Sequence, residues 1–129
     1  MGPEGTYGVG SNPSFYNGGF CVCGDHTSGS GNMMVVNGAG IPGSNVWCQT
    51  IPVTSNTTYN FSTWVTSVNP SSPAILQFYI NGIPLCATFN APPACCVWLQ
   101  FFCVWNSGAN TSANICIVNQ NTTLGGNDF

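Results

Sequence analysis

Short apolar segments that alternate with polar residues and end at turn residues constrain the fold of this chain most. In residues 58–67, Tyr59 and Phe61 fall on one face of an extended strand, whereas Ser62 and Trp64 fall on the other. Gly, Pro, Asn and β-branched residues are spread throughout, and a sustained helical period of apolar residues is missing. We therefore predict an all-β chain with no substantial helix.

Segments of this kind recur along the chain and are separated by turn residues, of which Asn81-Gly82 is a strong signal for a two-residue hairpin. The pattern predicts an antiparallel jelly-roll β-sandwich of about eight or nine strands, with residues 1–129 forming one domain. Both faces of residues 96–105 are apolar, which predicts a central strand covered on both sides. The candidate strands are residues 6–9, 20–23, 32–37, 45–51, 58–67, 74–80, 83–86, 96–105 and 111–119.

The chain contains no Lys or Arg and only three carboxylates, which give a formal net charge of −3. Nucleic-acid binding depends on cations that neutralise phosphates, so we expect no nucleic-acid partner. No apolar run is long enough to cross a bilayer, so we also expect no membrane insertion. Low charge removes the repulsion that keeps copies of a protein apart, and this favours self-assembly.

Eight cysteines in a chain of 129 residues indicate an oxidising, extracellular compartment and disulfide bonds. Free buried thiols or a metal site are the alternatives, although no C-x-x-C pair is present. Residues 106–110 are expected to turn the chain back on itself, which would place Cys103 opposite Cys116. Opposed Cβ atoms in antiparallel strands lie about 4.5–5.5 Å apart, so we predict that these two cysteines form a disulfide.

The first residues of the chain have neither the basic start nor the apolar run of a signal peptide. An extracellular protein without one has been trimmed or is part of a longer chain. We therefore expect one of these two origins.

Residues 24–38 carry Asp25-His26-Thr27 followed by Gly31-Asn32-Met33-Met34-Val35-Val36. This pattern resembles the Asp-His-Thr…Gly-x-x-Met-x-Val signature of MAM-type and carbohydrate-binding-module-like jelly rolls. The similarity extends over most of residues 5–129, and the wider pattern is similar to domains of large secreted surface proteins of Bacteroidota. The resemblance implies a jelly-roll fold and an extracellular location, whereas such folds host many functions.

The same resemblance implies a structural Ca²⁺ between the N- and C-terminal segments. Asp25, Asp128 and Glu4 are the only carboxylates, and Asn127 adds an amide oxygen, so we predict these residues as ligands. The alternative is that Asp25 accepts backbone N–H bonds in its own turn and that Asp128 is solvated. In the family the ending at residues 126–129 continues into a further strand. A chain that stops there would leave a gap that a strand of a neighbouring subunit could fill.

His26 adjoins Asp25, which raises the question of a hydrolase triad. Sequence neighbours rarely orient each other as a triad requires, and no G-x-S-x-G motif is present. Three carboxylates at loops and chain ends are also a poor basis for a two-carboxylate glycosidase. We predict that the protein is not an enzyme and that His26 has a local role in a turn.

Aromatic residues are the candidates for binding a sugar ligand, and Asn residues are the candidates for carrying an attached glycan. Trp64, Trp98 and Tyr16 could stack on sugar rings, although a Trp in a sandwich strand more often belongs to the core. The sequons for N-linked glycosylation begin at Asn56, Asn60, Asn110 and Asn121.

Two functional hypotheses follow from these features. The leading one is an extracellular structural subunit that assembles with copies of itself into a surface fibre or adhesive layer, stabilised by disulfides and Ca²⁺. The alternative is a carbohydrate-binding or adhesion module of a larger cell-surface protein, with glycans as partners.

Overall fold

The computed structural model describes residues 2–129, and its regular structure is extended except for one turn of 3₁₀ helix at Pro13–Phe15. All strand pairs are antiparallel, which confirms the predicted all-β fold class. The strands are β1 Thr6–Gly10, β2 Met33–Asn37, β3 Ser44–Pro52, β4 Thr58–Val65, β5 Ile75–Ile80, β6 Ile83–Asn90, β7 Leu99–Asn106 and β8 Ser112–Asn119.

The strands form two layers around one main apolar core. One layer is a sheet with the order β3-β8-β5-β6, and the other contains the pairs β1-β2 and β4-β7. Phe78 of the first layer stacks on Phe101 of the second, with ring centroids 4.2 Å apart. Burying side chains of this kind stabilises the fold by about 1.5–3 kcal/mol each, so the contact between the layers is the main source of stability.

The C-terminal residues join the two strand pairs of the second layer. Phe129 exchanges two backbone hydrogen bonds with Val36 of β2, and the Asp128 carbonyl accepts one from the Val68 N–H at 3.1 Å. Residues 127–129 therefore lie between β2 and the segment that follows β4.

The turn at Asn81-Gly82 confirms the predicted hairpin. Both residues have positive φ angles, 53° and 76°, which is the backbone geometry of a type I′ turn. Ile80 pairs with Ile83 directly across it. Asn and Gly tolerate this left-handed conformation, and for that reason the sequence signal was reliable.

The predicted strand at residues 20–23 does not form. This segment is irregular, and its backbone is anchored by a hydrogen bond from the Cys21 N–H to the Val68 carbonyl at 2.8 Å. Cys21 and Cys23 are bonded to Cys95 and Cys96. Covalent links replace the strand ladder at this position.

The predicted bond between Cys103 and Cys116 is wrong. The eight cysteines form four disulfides, in which Cys103 is bonded to Cys86 and Cys116 to Cys48. The residues after β7 cross to the other layer, so that β7 pairs with β4 and β8 pairs with β3 and β5. Cys116 does lie opposite a cysteine in an antiparallel pair, with a Cα–Cα distance of 4.2 Å, but that partner is on β3.

The expectation that β7 is covered on both faces is also wrong. Phe101 and Cys103 face the core, whereas Phe102 and Val104 on the opposite face are 56% and 53% exposed. β7 pairs only with β4 among the strands of residues 2–129, and the outer face of this pair is open.

Candidate ligand-binding cleft

A cleft of about 270 Å³ opens beside the end of β4 and the beginning of β2. Its rim is formed by the loop at residues 25–32 and by the aromatic side chains of Trp64 and Trp98. Its floor reaches the main core, because Leu76 and Phe78 line it although both are almost fully buried. The cleft therefore has a polar and aromatic entrance above an apolar floor.

Three rings form one wall of this cleft. The His26 imidazole stacks on the Trp64 indole with ring centroids 3.7 Å apart and an angle of 11° between the planes. The Trp98 ring meets the same imidazole edge-on at 6.0 Å. Trp64 is on the outward face of β4, as the alternation of residues 58–67 predicts, and it is 41% exposed.

The loop that carries His26 is built around the Asp25 carboxylate. Its oxygens accept hydrogen bonds from the N–H groups of Thr27, Ser28 and Gly31 at 3.0, 2.8 and 2.5 Å. The Ser28 hydroxyl donates a further one at 2.8 Å. These bonds, those from Ser28 above all, hold the pKa of Asp25 well below its ordinary value against the opposing effect of desolvation. Asp25 is therefore an ionised structural centre of the loop.

Two disulfides fix the elements of the aromatic wall relative to each other. Cys21 is bonded to Cys95 and Cys23 to Cys96, so the segment leading into the Asp25 loop is tied to the segment leading into Trp98. The loop approaches itself closely, because a Cβ on Gly24 would lie 2.1 Å from the Gly29 carbonyl oxygen. Covalent and steric constraints together hold His26 and Trp98 over the end of β4.

The remaining polar groups at the rim are uncharged. Thr27, Asn32 and Thr63 line the entrance, and the Asn32 amide has no hydrogen-bond partner within residues 2–129. An amide in such a position offers both a donor and an acceptor to a ligand.

The predicted metal ligands fall into two groups. Asp25 lies in the cleft loop, and backbone N–H groups of the same loop donate hydrogen bonds to both of its carboxylate oxygens. Asp128 is buried and accepts hydrogen bonds from the Gly38 N–H at 2.9 Å and the Asn69 amide at 3.2 Å. Burial raises the pKa of Asp128 and the negative charge of Glu4 raises it further, whereas the hydrogen bonds from Gly38 and Asn69 lower it. Glu4 itself is exposed in the turn before β1.

Among the predicted ligands that the structure describes, Asn127 is the one whose buried side-chain oxygen has no hydrogen-bond partner. Its side chain is fully buried and its amide N–H groups donate to carbonyls of Ala39, Asn121 and Thr123, whereas its Oδ1 atom has no partner. No group of three or more His, Cys, Asp or Glu side chains suited to a metal is present in residues 2–129. Calcium at Asp128 and Asn127 with Glu4 stays a prediction.

The four sequons differ in their surroundings. Asn56, Asn60 and Asn110 are exposed. The Asn121 amide is half-buried and donates to the carbonyls of Ser72 and Pro73 at 2.9 and 2.8 Å. Modification of Asn121 would break these bonds, and the Asn110 amide also donates to a carbonyl, that of Ser107 at 2.8 Å, so Asn56 and Asn60 are the most accessible candidates.

Of the predicted carbohydrate contacts, Trp64 and Trp98 meet in the cleft and Tyr16 does not line it. The Tyr16 ring packs over β1, where Cβ atoms on Gly8 and Gly10 would lie within 2.6 Å of it. Sequence reasoning assigned His26 only a turn role and missed its contact with the two Trp rings. That contact depends on the disulfide pairing, which the spacing of the cysteines does not determine.

Comparisons with known proteins bear on the fold. No family model and no curated protein matches the chain. A solved structure described as "EclA C-terminal domain; sugar-binding protein" is similar, with a TM-score of 0.59 and 15% sequence identity. The match covers 67% of this chain and 61% of the neighbour, so the chain spans less than two thirds of the neighbour's length. The similarity supports a fold that a sugar-binding domain also adopts, and the MAM-type and Bacteroidota assignments stay predictions.

In the part of the chain that the structure describes, no helix has the length and apolar character needed to cross a bilayer.

Proposed function

We propose that this chain is a non-catalytic carbohydrate-binding module of the extracellular environment, and that its sugar ligand binds in the cleft beside Trp64 and Trp98. The observation that carries the proposal is the aromatic wall of the cleft, in which two Trp rings and His26 are held together at an exposed rim. The sugar-binding neighbour of similar fold supports the same function.

The chemistry of the cleft suits a sugar. One face of a pyranose consists of C–H groups, which pack on aromatic rings, while its hydroxyls need donors and acceptors at the edge. Trp98 and His26 offer the rings, and the Asn32 amide offers both a donor and an acceptor. Because loop and wall are fixed by two disulfides, little conformational entropy is lost when the ligand binds.

The four disulfides support an oxidising compartment of the extracellular type. In our proposal the module functions at a cell surface as an adhesion part of a larger protein.

A binding role without catalysis agrees with the arrangement of the titratable groups at the cleft. A triad needs a carboxylate that orients the histidine and a nucleophile beside it. Here the Asp25 oxygens accept bonds from the loop backbone and from Ser28, and the His26 ring lies between aromatic neighbours. Both groups thus serve to shape the wall.

Self-assembly is the second candidate function, and the outer face of β4 and β7 is the observation in its favour. Phe102 and Val104 are exposed there, on a chain with little charge to keep copies apart. Sedimentation velocity of the protein over a range of concentrations tests this candidate. Concentration-dependent association that Phe102→Ser weakens would support it, and a monomer at all concentrations would contradict it.

Glycan-array screening followed by calorimetric titration tests the leading proposal. Trp98→Ala should weaken binding of an array hit by about thirtyfold, since a Trp at the centre of an interface contributes about 2 kcal/mol. Phe15→Ala is the matched control, because Phe15 is an aromatic residue that is 79% exposed outside the cleft. Equal affinities of the two variants for the hit, or no glycan binding by the wild-type protein, would contradict the proposal.

A further inference from the structure

The floor of the cleft is apolar whereas its rim is polar and aromatic, and this difference limits which class of ligand the cleft can bind. Below the aromatic wall the lining consists of apolar side chains from both layers and from the C-terminal residues. The floor contains the half-buried Met33 and Met34 together with the buried Val65, Leu76, Phe78 and Phe129. A sugar ring carries hydroxyls around its whole edge, so such a floor would leave some of them without hydrogen bonds.

From this arrangement we infer, on the basis of the proposed function, that the ligand is an uncharged sugar whose apolar substituent enters the floor of the cleft. The sugar ring lies at the rim against Trp98 and His26, and a methyl, acyl or alkyl group extends past Thr63 toward Met33 and Met34, which are the half-buried members of the floor. Methionines at this position are suited to such a group, because their flexible thioethers adapt to substituents of different shape.

The charges of the chain exclude anionic sugars from this class. The chain has no Lys or Arg that could pair with a carboxylate or sulfate, and the Asp25 carboxylate lies at the rim. An anionic ligand would meet a like charge without a compensating cation, which opposes binding. Uronic acids and sulfated sugars should therefore bind more weakly than their neutral counterparts.

The volume of the cleft limits what enters it. At about 270 Å³ it is slightly smaller than the pockets of about 300–1,000 Å³ that hold drug-sized molecules. One ring with one substituent fits this volume better than an extended oligosaccharide, so we expect terminal recognition of a single substituted sugar.

A series of n-alkyl β-D-glucosides tests the inference on the whole chain. Methyl, propyl and butyl glucosides are titrated while the ¹³C-methyl signals of Met33 and Met34 and the indole N–H signals of Trp64 and Trp98 are recorded. Each added CH₂ should raise the affinity about threefold to fourfold, as expected for a buried methylene, and the methionine signals should shift with the longer chains only. Methyl β-D-glucuronoside should bind more weakly than methyl β-D-glucoside.

The outcomes separate this inference from the proposed function. Indole shifts with no dependence on chain length and no methionine shifts would overturn the inference while leaving the sugar site in place. No shifts with any glucoside, together with a negative glycan array, would overturn both. In Met34→Gln, which keeps the side-chain length but makes the floor polar, the gain per CH₂ should fall below twofold, and an unchanged gain would also overturn the inference.

Discussion

The two disulfides at the cleft should act as one unit in stability measurements. Cys21–Cys95 closes a loop with a sequence separation of 74. In the chain-entropy treatment a loop of that length stabilises the native state by about 4.5 kcal/mol. Once either bridge is closed, the second closes only the small ring of residues 21–23 and 95–96 and adds about 2 kcal/mol.

Removing either bridge alone by paired Cys→Ala substitutions should therefore lower the free energy of unfolding by about 2 kcal/mol, because the other bridge still closes the long loop. Removing both should lower it by about 6.5 kcal/mol, so the coupling between the bridges is about 2.5 kcal/mol. Replacing the buried Cys23 also changes the packing around it. This change has the same effect whether Cys21–Cys95 is present or absent, so it largely cancels in the double-mutant cycle. Urea unfolding followed by Trp fluorescence gives these values, with sucrose added to keep the variant without both bridges folded.

The Cys48–Cys116 bridge supplies the matched control. Its separation of 68 predicts a loss of about 4.4 kcal/mol when it is removed alone, and neither cysteine lines the cleft. That variant should be less stable than a variant lacking only Cys23–Cys96, yet it should keep its ligand affinity. If the losses at the two cleft bridges were simply additive, the two segments would not be held side by side as described, and the reasoning would be refuted.

Three further predictions concern other parts of the molecule. Gly38→Ala should destabilise the protein by about 3 kcal/mol in thermal unfolding, because the added Cβ would lie 1.2 Å from Asn127 Oδ1, whereas Gly18→Ala, with open space around it, should be neutral. The folded-state pKa of Asp25 is below its ordinary value of 3.8, so its contribution is present above that pH and is lost as the pH falls below it. The melting temperature of Asp25→Asn should accordingly fall less than that of the wild type between about pH 4 and pH 2, and parallel curves would show that the loop does not depend on the ionised carboxylate. If Ca²⁺ binds at Asp128, about 10 mM Ca²⁺ should raise the melting temperature by about 4 °C in the wild type and not in Asp128→Asn, as expected for a site of millimolar affinity; equal melting with Ca²⁺ and with a chelator would contradict calcium binding.

Apart from the segment at residues 20–23, the positions of the strands could be predicted from the sequence because they depend on local patterns. The alternation in residues 58–67 placed Trp64 on the outward face of β4, and Asn81-Gly82 identified the hairpin between β5 and β6. Both signals depend on the backbone geometry of a few neighbouring residues. They are present in any fold that uses these segments as strands.

The pairing of strands depends on distant parts of the chain and could not be predicted in the same way. A direct hairpin after β7 was the simplest local solution, but a jelly roll moves the chain to the other layer there. Because of that connection, Cys103 and Cys116 lie in different layers and each has a disulfide partner other than the predicted one. Eight cysteines allow 105 pairings, and spacing alone does not select among them.

The covering of β7 was mispredicted for a related reason. Phe102 and Val104 made both faces apolar in the sequence, yet only the face with Phe101 meets the core. The composition of a strand does not distinguish a central strand from one with an exposed apolar face. The stacking of His26 on Trp64 likewise arises only when two disulfides bring a loop to the end of β4.

The indole N–H signals of the four Trp residues provide the most direct test of the sugar-binding cleft. Trp64 and Trp98 line the cleft, whereas Trp47 and Trp105 pack against the main core and serve as internal controls in the same spectrum. During titration with a glycan found on the array, the signals of Trp64 and Trp98 should shift and saturate together while the other two stay in place. Saturable binding that shifts Trp47 or Trp105 and leaves Trp64 and Trp98 unchanged would contradict the account.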